Sequence, residues 1–311
     1  MMQNLVIVDL GSNSVRMAII EIQPDGKYRE VYRTKRDSRL SQGMGTGKVK
    51  TLQPAAMNRT IEAMQSFRPH YESLNNVTVM GITTAAVRQA SNQRDFVQRV
   101  SEEVGIDLRI LSGDEEAYYD YLGVASRLQI EDCLIVDIGG ASCELINVEK
   151  GEQTHLISLP FGAVNLSEQF HLNDWIAAED LFTAQVYLSK RLRDVWWLKD
   201  AIHKPLVLLG GANRTLARIS RKQQQYLHVE DIHGYQLKTD TIYQLFESLI
   251  KVNLATRKRI SGLESGRADI IIGGVLPLVT LLQLLDSDRV IFSESGVREG
   301  IISEFIEKRH K

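Results

Sequence analysis

Residues 5–19 read LVIVDLGSNSVRMAI, and residues 133–147 read CLIVDIGGASCELIN. Each stretch is an apolar strand that ends in an aspartate, a tight turn rich in Gly and Ser, and a returning strand. At an offset of 128 residues, the identical pairs are Ile7/Ile135, Val8/Val136, Asp9/Asp137, Gly11/Gly139 and Ser14/Ser142. The repeat predicts two similar lobes that face one another across a cleft, each presenting an aspartate and a turn able to bind phosphate.

The alternative explanation is that Asp-x-Gly only closes a hairpin. Because both copies are followed by equivalent strands, a phosphate-binding turn is favoured over a simple hairpin turn.

Two other phosphate-binding motifs are excluded. The loop Gly43–Lys48 has glycines and a lysine, but Val49 follows the lysine and no buried strand precedes the loop. Residues 137–141 lack GxGxxG spacing and lead into a strand, unlike a dinucleotide-binding turn.

Outside the two hairpins, helical periodicity alternates with short apolar strands, which is typical of an α/β fold. Helices are predicted near residues 54–67, 94–104, 114–127, 174–198, 213–222, 239–255, 268–284 and 297–308. The restart at residue 133 suggests a first lobe over residues 1–124 and a second over 125–311, with the last helix (297–311) packing back on the first lobe.

Composition narrows the classes of function. The chain has 311 residues, 43% of them hydrophobic, and a formal charge of −2. We therefore expect no nucleic-acid partner, because such binding needs a basic excess. The run Ile270–Leu285 is interrupted and falls short of the ~20 residues that span a bilayer, so we expect no membrane partner either. With only two cysteines and no signal peptide recognised, we expect a cytoplasmic location.

Several motifs in order along the chain resemble those of the exopolyphosphatase and guanosine pentaphosphate phosphatase (Ppx/GppA) family. They are Val8–Ser14, Thr84–Ala90, Ser112–Ala117, Val136–Leu145, Ser158–Ala163, Gly266–Ile270 and Ser295–Gly300. The resemblance implies the duplicated, two-lobed α/β fold shared with actin (ribonuclease H-like), with the active site in the cleft between the lobes.

Two departures from the family pattern matter. Long members carry a C-terminal domain related to HD phosphohydrolases, whereas this chain resembles the short two-domain form. The third glycine of the second phosphate-binding turn is Ala141 here, which could restrict the turn.

The resemblance also implies roles for individual residues. Asp137 and Glu144 are seven residues apart across the second hairpin and could point at one Mg²⁺, with Mn²⁺ as the alternative ion. By pattern alone, Glu144 could equally be a solvated strand residue. Asp9 is the matching carboxylate of the first lobe and would support the metal site. Phosphate contacts are expected from Ser12, Asn13, Arg88, Gly139, Gly140, Ala141 and Ser142, with Arg39, Arg267 and Arg298 as secondary candidates.

The general base that activates water would be Glu116, by resemblance to the family glutamate that precedes an alanine. Without the resemblance, the acidic run at 114–116 would be read as residues that favour the positive end of a helix dipole.

Together with these residues, the resemblance implies an exopolyphosphatase, a phosphoanhydride hydrolase that needs Mg²⁺ and releases terminal orthophosphate from inorganic polyphosphate, and we expect it to favour short chains. The alternative substrate is guanosine pentaphosphate. Two other classes stay open: a kinase of the same superfamily, for which residues 209–213 are a candidate adenosine site, and a silent phosphate- or nucleotide-binding module. We expect the protein to form a homodimer.

Overall fold

The computed structural model describes residues 2–45, 47 and 49–310, so Thr46 and Lys48 of the glycine loop lie outside the described residues. The strands are β1 (Gln3–Leu10), β2 (Ser14–Ile22), β3 (Tyr28–Asp37), β4 (Val77–Thr83), β5 (Leu108–Ile110), β6 (Cys133–Ile138), β7 (Cys143–Glu149), β8 (Glu152–Leu159), β9 (Leu206–Leu209), β10 (Gln236–Lys238) and β11 (Arg289–Phe292). The helices are α1 (Pro54–Gln65), α2 (Ala85–Arg88), α3 (Gln93–Val104), α4 (Gly113–Ala125), α5 (Ala163–Gln169), α6 (Ala178–Arg193), α7 (Gly211–Gln223), α8 (Thr239–Ile250), α9 (Leu254–Arg257), α10 (Ile271–Leu285) and α11 (Val297–His310).

The chain divides into two compact units, Met1–Ser112 with Ile306–Lys311 and Gly113–Phe305. The repeat predicts residues 113–124 in the first lobe, whereas these residues begin the second unit, because α4 packs against β7 and β8. The lobe boundaries of the sequence analysis stay a prediction.

The first unit is built on a sheet of order β3-β2-β1-β4-β5. Strands β1 to β3 are antiparallel neighbours, whereas β1, β4 and β5 run parallel. The central strand β1 is buried on both faces, which explains its continuous apolar run. One face packs against α1 and α3, whose apolar residues include Met57, Ile61 and Phe96.

The second unit repeats this plan in the order β8-β7-β6-β9-β11-β10. Strand β6 has an antiparallel neighbour in β7 and a parallel neighbour in β9, as β1 has in β2 and β4. The duplicated α/β fold predicted from the two hairpins is therefore confirmed.

The core of the second unit surrounds α10, which contacts α5, α6, α7 and α8. Almost all of its residues are buried, as expected for a helix that is apolar on every side. Among the described residues, no helix combines the length and apolar composition needed to cross a bilayer.

Two local differences from the predicted elements concern the segment after β8. The predicted helix 174–198 is shorter, Ala178–Arg193, and a 3-10 turn follows at Leu198–Ala201. The structure also has α5, which the sequence analysis did not predict. This short helix begins after Gly162, whose N–H donates to Oδ1 of Asn165 at 2.7 Å.

Candidate active site

The second hairpin brings two predicted site carboxylates together. Strands β6 and β7 pair with Asp137 directly opposite Glu144. Residues in this relation share one face of a sheet, so the seven-residue spacing places both carboxylates side by side. Glu144 is fixed further by Ser158 on β8, whose Oγ donates to Oε1 of Glu144 at 2.7 Å. Glu144 is 1% exposed, which excludes the alternative of a solvated strand residue.

The predicted phosphate-binding turn follows Asp137 and is held in place by α5. Within the turn, the N–H of Gly139 donates to the carbonyl of Ser142 at 3.0 Å. The N–H groups of Ala163 and Val164 donate to the carbonyls of Gly139 and Gly140 at 2.9 and 2.8 Å. The start of α5 therefore fixes the turn through its carbonyl groups.

The alanine in this turn causes no backbone strain. Ala141 is not among the described residues that adopt a positive φ, so its position does not require glycine. Close packing instead requires glycine at Gly162, where a Cβ atom would lie 2.7 Å from the backbone nitrogen of Ala141.

Helix α4 supplies two further carboxylates. Glu116, the predicted base, is 7% exposed, and Asp120, one turn later on the same face, is 0% exposed. Carboxylate oxygens of Asp120, Asp137 and Glu144 all lie within 4.8 Å of one another. Asp120 is not among the residues predicted from sequence, although its spacing of four residues from Glu116 indicates that both lie on one face of the helix.

Burial and neighbouring carboxylates raise the pKa of two members of this cluster, Glu144 and Asp120. Burial, followed by repulsion from Glu116 and Asp137, raises the pKa of Glu144 well above its ordinary value. Burial also raises the pKa of Asp120, with repulsion from Asp137, Glu144 and Glu116 adding to it. A divalent cation would stabilise this cluster of carboxylates, because its positive charge offsets their mutual repulsion. Carboxylate oxygens are also the ligands that hard cations prefer.

The turn between β9 and α7 passes directly beside this cluster. Gly210 has a φ of +89°, and a Cβ atom there would lie 2.7 Å from Oδ1 of Asp137. The guanidinium of Arg267 lies against the next residue, Gly211, and its Nε donates to Glu264 at 3.2 Å. In the candidate adenosine site at residues 209–213, the buried Asn213 side chain hydrogen-bonds within the turn: its Nδ2 donates to the carbonyl of Leu209 at 2.6 Å.

The first hairpin has the same turn but different chemistry at the position of Glu144. The N–H of Gly11 donates to the carbonyl of Ser14 at 3.1 Å, as in the second hairpin. Asp9, however, lies opposite Arg16, and Nη1 of that arginine is 3.9 Å from Oδ2 of Asp9. Within the first unit, Asp9 is therefore an ion-pair partner, and its predicted metal role stays a prediction.

The remaining candidates of the first unit also have defined contacts. The carbonyl of Ser12 accepts from the N–H of Ser41, and that of Asn13 accepts from the N–H groups of Ser38 and Arg39, at 2.9 to 3.1 Å. Nη1 of Arg88 donates to the carbonyl of Leu111 at 2.7 Å.

In the second unit, the secondary candidate Arg298 pairs with Glu299, with Nη2 2.5 Å from Oε1. This contact engages its guanidinium in an ion pair.

The two buried thiols of the second unit lead to a prediction. Cys143 precedes Glu144 and is buried, and burial raises its pKa well above the ordinary value. Burial also raises the pKa of Cys133 to about 12. We expect both thiols of the native protein to resist dithiobis-nitrobenzoate at pH 8, because thiolate is the reactive form. The same protein in guanidinium chloride should react at both cysteines, and rapid reaction of the native protein would contradict the prediction.

Comparisons with known proteins place these features in a family. The model of the Ppx/GppA phosphatase family matches residues 18–309. A bifunctional 3-dehydroquinate synthase/phosphatase from Fusobacterium nucleatum is 30% identical over 97% of this chain, but the chain spans only 46% of that relative.

Two solved structures are similar over nearly their full lengths. The Ppx/GppA family member of Aquifex aeolicus is 29% identical, with a TM-score of 0.80 and 100% of both chains covered. An exopolyphosphatase from Cytophaga hutchinsonii has the same fold, with 24% identity, a TM-score of 0.90 and 98% of each chain covered. Since the family match extends over most of the sequence, including the second hairpin and α4, this chain belongs to the Ppx/GppA phosphatase family.

Proposed function

We propose that this protein is an exopolyphosphatase, which uses Mg²⁺ and water to release terminal orthophosphate from short inorganic polyphosphate. The observation that carries the proposal is the pairing of Asp137 with Glu144 beside the turn of residues 139–142, close enough to the buried Glu116 for the two glutamates to repel one another. Membership of a phosphatase family supports hydrolysis as the reaction class.

The donor set fits a magnesium ion. Asp137 and Glu144 offer carboxylate oxygens from two paired strands, and a carboxylate oxygen of Asp120 lies within 4.8 Å of both. Magnesium favours such hard ligands and usually binds through one or two carboxylates together with substrate phosphates. When bound, the ion neutralises charge on the phosphoryl oxygens, which lowers the barrier to attack.

The residues of the chain supply the other steps. Glu116 accepts a proton from the attacking water as the oxygen–phosphorus bond forms. The phosphoanhydride bond breaks, and the shortened polyphosphate leaves as an anion. The backbone N–H groups of residues 140–142 are assigned to the phosphoryl group, as in other anion-binding turns. The N–H of Gly139 is already used within the turn, and the Ser142 hydroxyl hydrogen-bonds to Glu144. Ser12, Asn13 and Arg88 are assigned to further phosphates, and Asp9 to support of the ion.

A phosphate-release assay tests the proposal. Short polyphosphate, long polyphosphate and guanosine pentaphosphate are each supplied with and without Mg²⁺. We expect the fastest Mg²⁺-dependent release from short polyphosphate. Faster release from guanosine pentaphosphate would identify that substrate instead. Phosphate transfer only when an acceptor is added would indicate a kinase, and no turnover of any substrate would indicate a binding module.

The preference for short chains can be tested by gel analysis of a long polyphosphate during partial digestion. The chain carries a net charge of −2, and Arg257–Arg259 is its only stretch of three consecutive Lys or Arg residues, so little attraction extends along a polymer. We expect distributive release, seen as a gradual downward shift of the whole population. Full-length polymer coexisting only with orthophosphate would contradict this.

Removal of either metal ligand should change the response to Mg²⁺. Asp137→Asn and Glu144→Gln each keep the size of the side chain but remove a charged oxygen ligand. Each variant should need at least ~10-fold more Mg²⁺ for half-maximal phosphate release, the size of effect seen when metal sites are perturbed. An unchanged Mg²⁺ requirement in both variants would remove these residues from the metal site.

A further inference from the structure

Asp120 is a fully buried carboxylate, and the hydrogen bonds of the fold do not compensate for its loss of hydration. Its side chain lies on the inner face of α4, and its exposed fraction is 0%. Neither of its oxygens has a hydrogen-bond partner of ordinary geometry among the described residues, and the one N–H that favours its charged form, that of Val297, does not fully offset the effect of burial. A buried carboxylate without partners is costly, and such groups persist where something else compensates for them.

The position of Asp120 indicates what that compensation is. An oxygen of Asp120 lies within 4.8 Å of ligand oxygens of both Asp137 and Glu144. The three side chains come from α4, β6 and β7, so three separate elements direct acidic oxygens at one point. One divalent cation would satisfy the unpartnered oxygens of Asp120 and relieve the repulsion among the three carboxylates.

The competing explanation is that Asp120 serves the first turn of α11. The N–H of Val297, at the start of this helix, favours the ionised carboxylate and partly offsets the effect of burial on its pKa. The backbone approaches closely here, because a Cβ atom at Gly296 would lie 3.0 Å from Oδ1 of Asp120. The N–H groups at a helix start, however, can be satisfied by any acceptor. Their need for an acceptor does not explain why two other carboxylates lie beside Asp120.

We propose that Asp120 is a third protein ligand of the divalent cation assigned to Asp137 and Glu144. The inference rests on the metal site of the proposed function, but not on its substrate. Two carboxylates hold Mg²⁺ weakly and leave much of its binding to substrate phosphates. A third carboxylate cancels more of the charge of the ion, so this chain binds a divalent cation before any phosphate arrives.

Titration of the full-length protein with Mn²⁺ tests the inference without using activity. Free Mn²⁺ is followed by electron paramagnetic resonance, in the absence of phosphate, for wild type, Asp120→Asn and Asp114→Asn. Asparagine keeps the shape of Asp120 and an acceptor for the Val297 N–H, but it removes the charged ligand. Asp114 lies exposed on the same helix and is the matched control for loss of one negative charge.

We expect Asp120→Asn to weaken Mn²⁺ binding at least ~10-fold, with Asp114→Asn close to wild type. Equal affinity of Asp120→Asn and wild type would assign Asp120 to the start of α11 and overturn the inference. Failure of Asp120→Asn to fold in the presence of a chelator would also count against it, because a neutral side chain should relieve repulsion there. Asp120-dependent Mn²⁺ binding without any phosphatase activity would leave the inference standing and reject the proposed function.

Discussion

Glu116→Gln is expected to lower phosphate release by ~10²- to 10⁴-fold, which is the usual contribution of a general base. The side chain is 7% exposed, and repulsion between it and Glu144 shows in the raised pKa of Glu144. Glutamine has the same shape but cannot accept the proton of the attacking water. Binding of polyphosphate should change little, because a base acts mainly in the transition state. Single-turnover phosphate release and equilibrium polyphosphate binding measure the two effects separately.

Glu115→Gln is the control for this experiment. Glu115 is the neighbouring carboxylate in the first turn of α4 but is less buried than Glu116. Its replacement removes the same charge from the same helix end, so any general effect on the helix dipole is matched. Turnover of Glu115→Gln should stay within a few-fold of wild type. Equal losses in the two variants would mean that Glu116 is not the base.

The features of the site that the sequence predicts are those set by strand pairing. The repeat of Asp9 at Asp137 predicts two hairpins, and the antiparallel register then dictates that Asp137 faces Glu144. The same register places Arg16 opposite Asp9, so the duplication does not extend to the chemistry of the two hairpins. Local pairing rules are strong enough to read from sequence because side chains alternate with a period of two.

The features that the sequence does not predict depend on packing between distant elements. Asp120 lies in a helix where acidic residues are ordinarily solvated, and it is buried by the packing of α4 against β7 and β8 together with the close approach of Gly296. Helix α5 is not predicted from the sequence, because a helix of seven residues contains too few turns to show a recognisable hydrophobic periodicity. The close approach of Gly123 in α4 to the backbone of Gly296 likewise joins residues far apart in sequence.

Replacement of Glu144 by glutamine should have opposite effects on stability in the absence and presence of a metal ion. Without metal, an ionised Glu144 is repelled by the neighbouring carboxylates, and a protonated Glu144 has to take up a proton at a pH above its ordinary pKa. Both states lower the free energy of unfolding. Glutamine avoids both costs, and its Oε1 can still accept the hydrogen bond of Ser158. In a chelator at pH 8, the variant should therefore unfold at a higher temperature than wild type.

With saturating Mn²⁺ the order should reverse, because a cation that binds only the folded chain stabilises it in proportion to its affinity. Each kcal/mol corresponds to about 2–4 °C in Tm for a domain of 150–250 residues, so differential scanning fluorimetry resolves both effects. Ser158→Ala is the matched comparison, since it removes the hydrogen bond of Glu144 but keeps every carboxylate. It should lower Tm in the chelator and retain stabilisation by Mn²⁺. A Glu144→Gln protein less stable than wild type in chelator would mean that the cluster is not under electrostatic strain. Buried carboxylates that destabilise the empty fold are the expected cost of a site built to hold a cation.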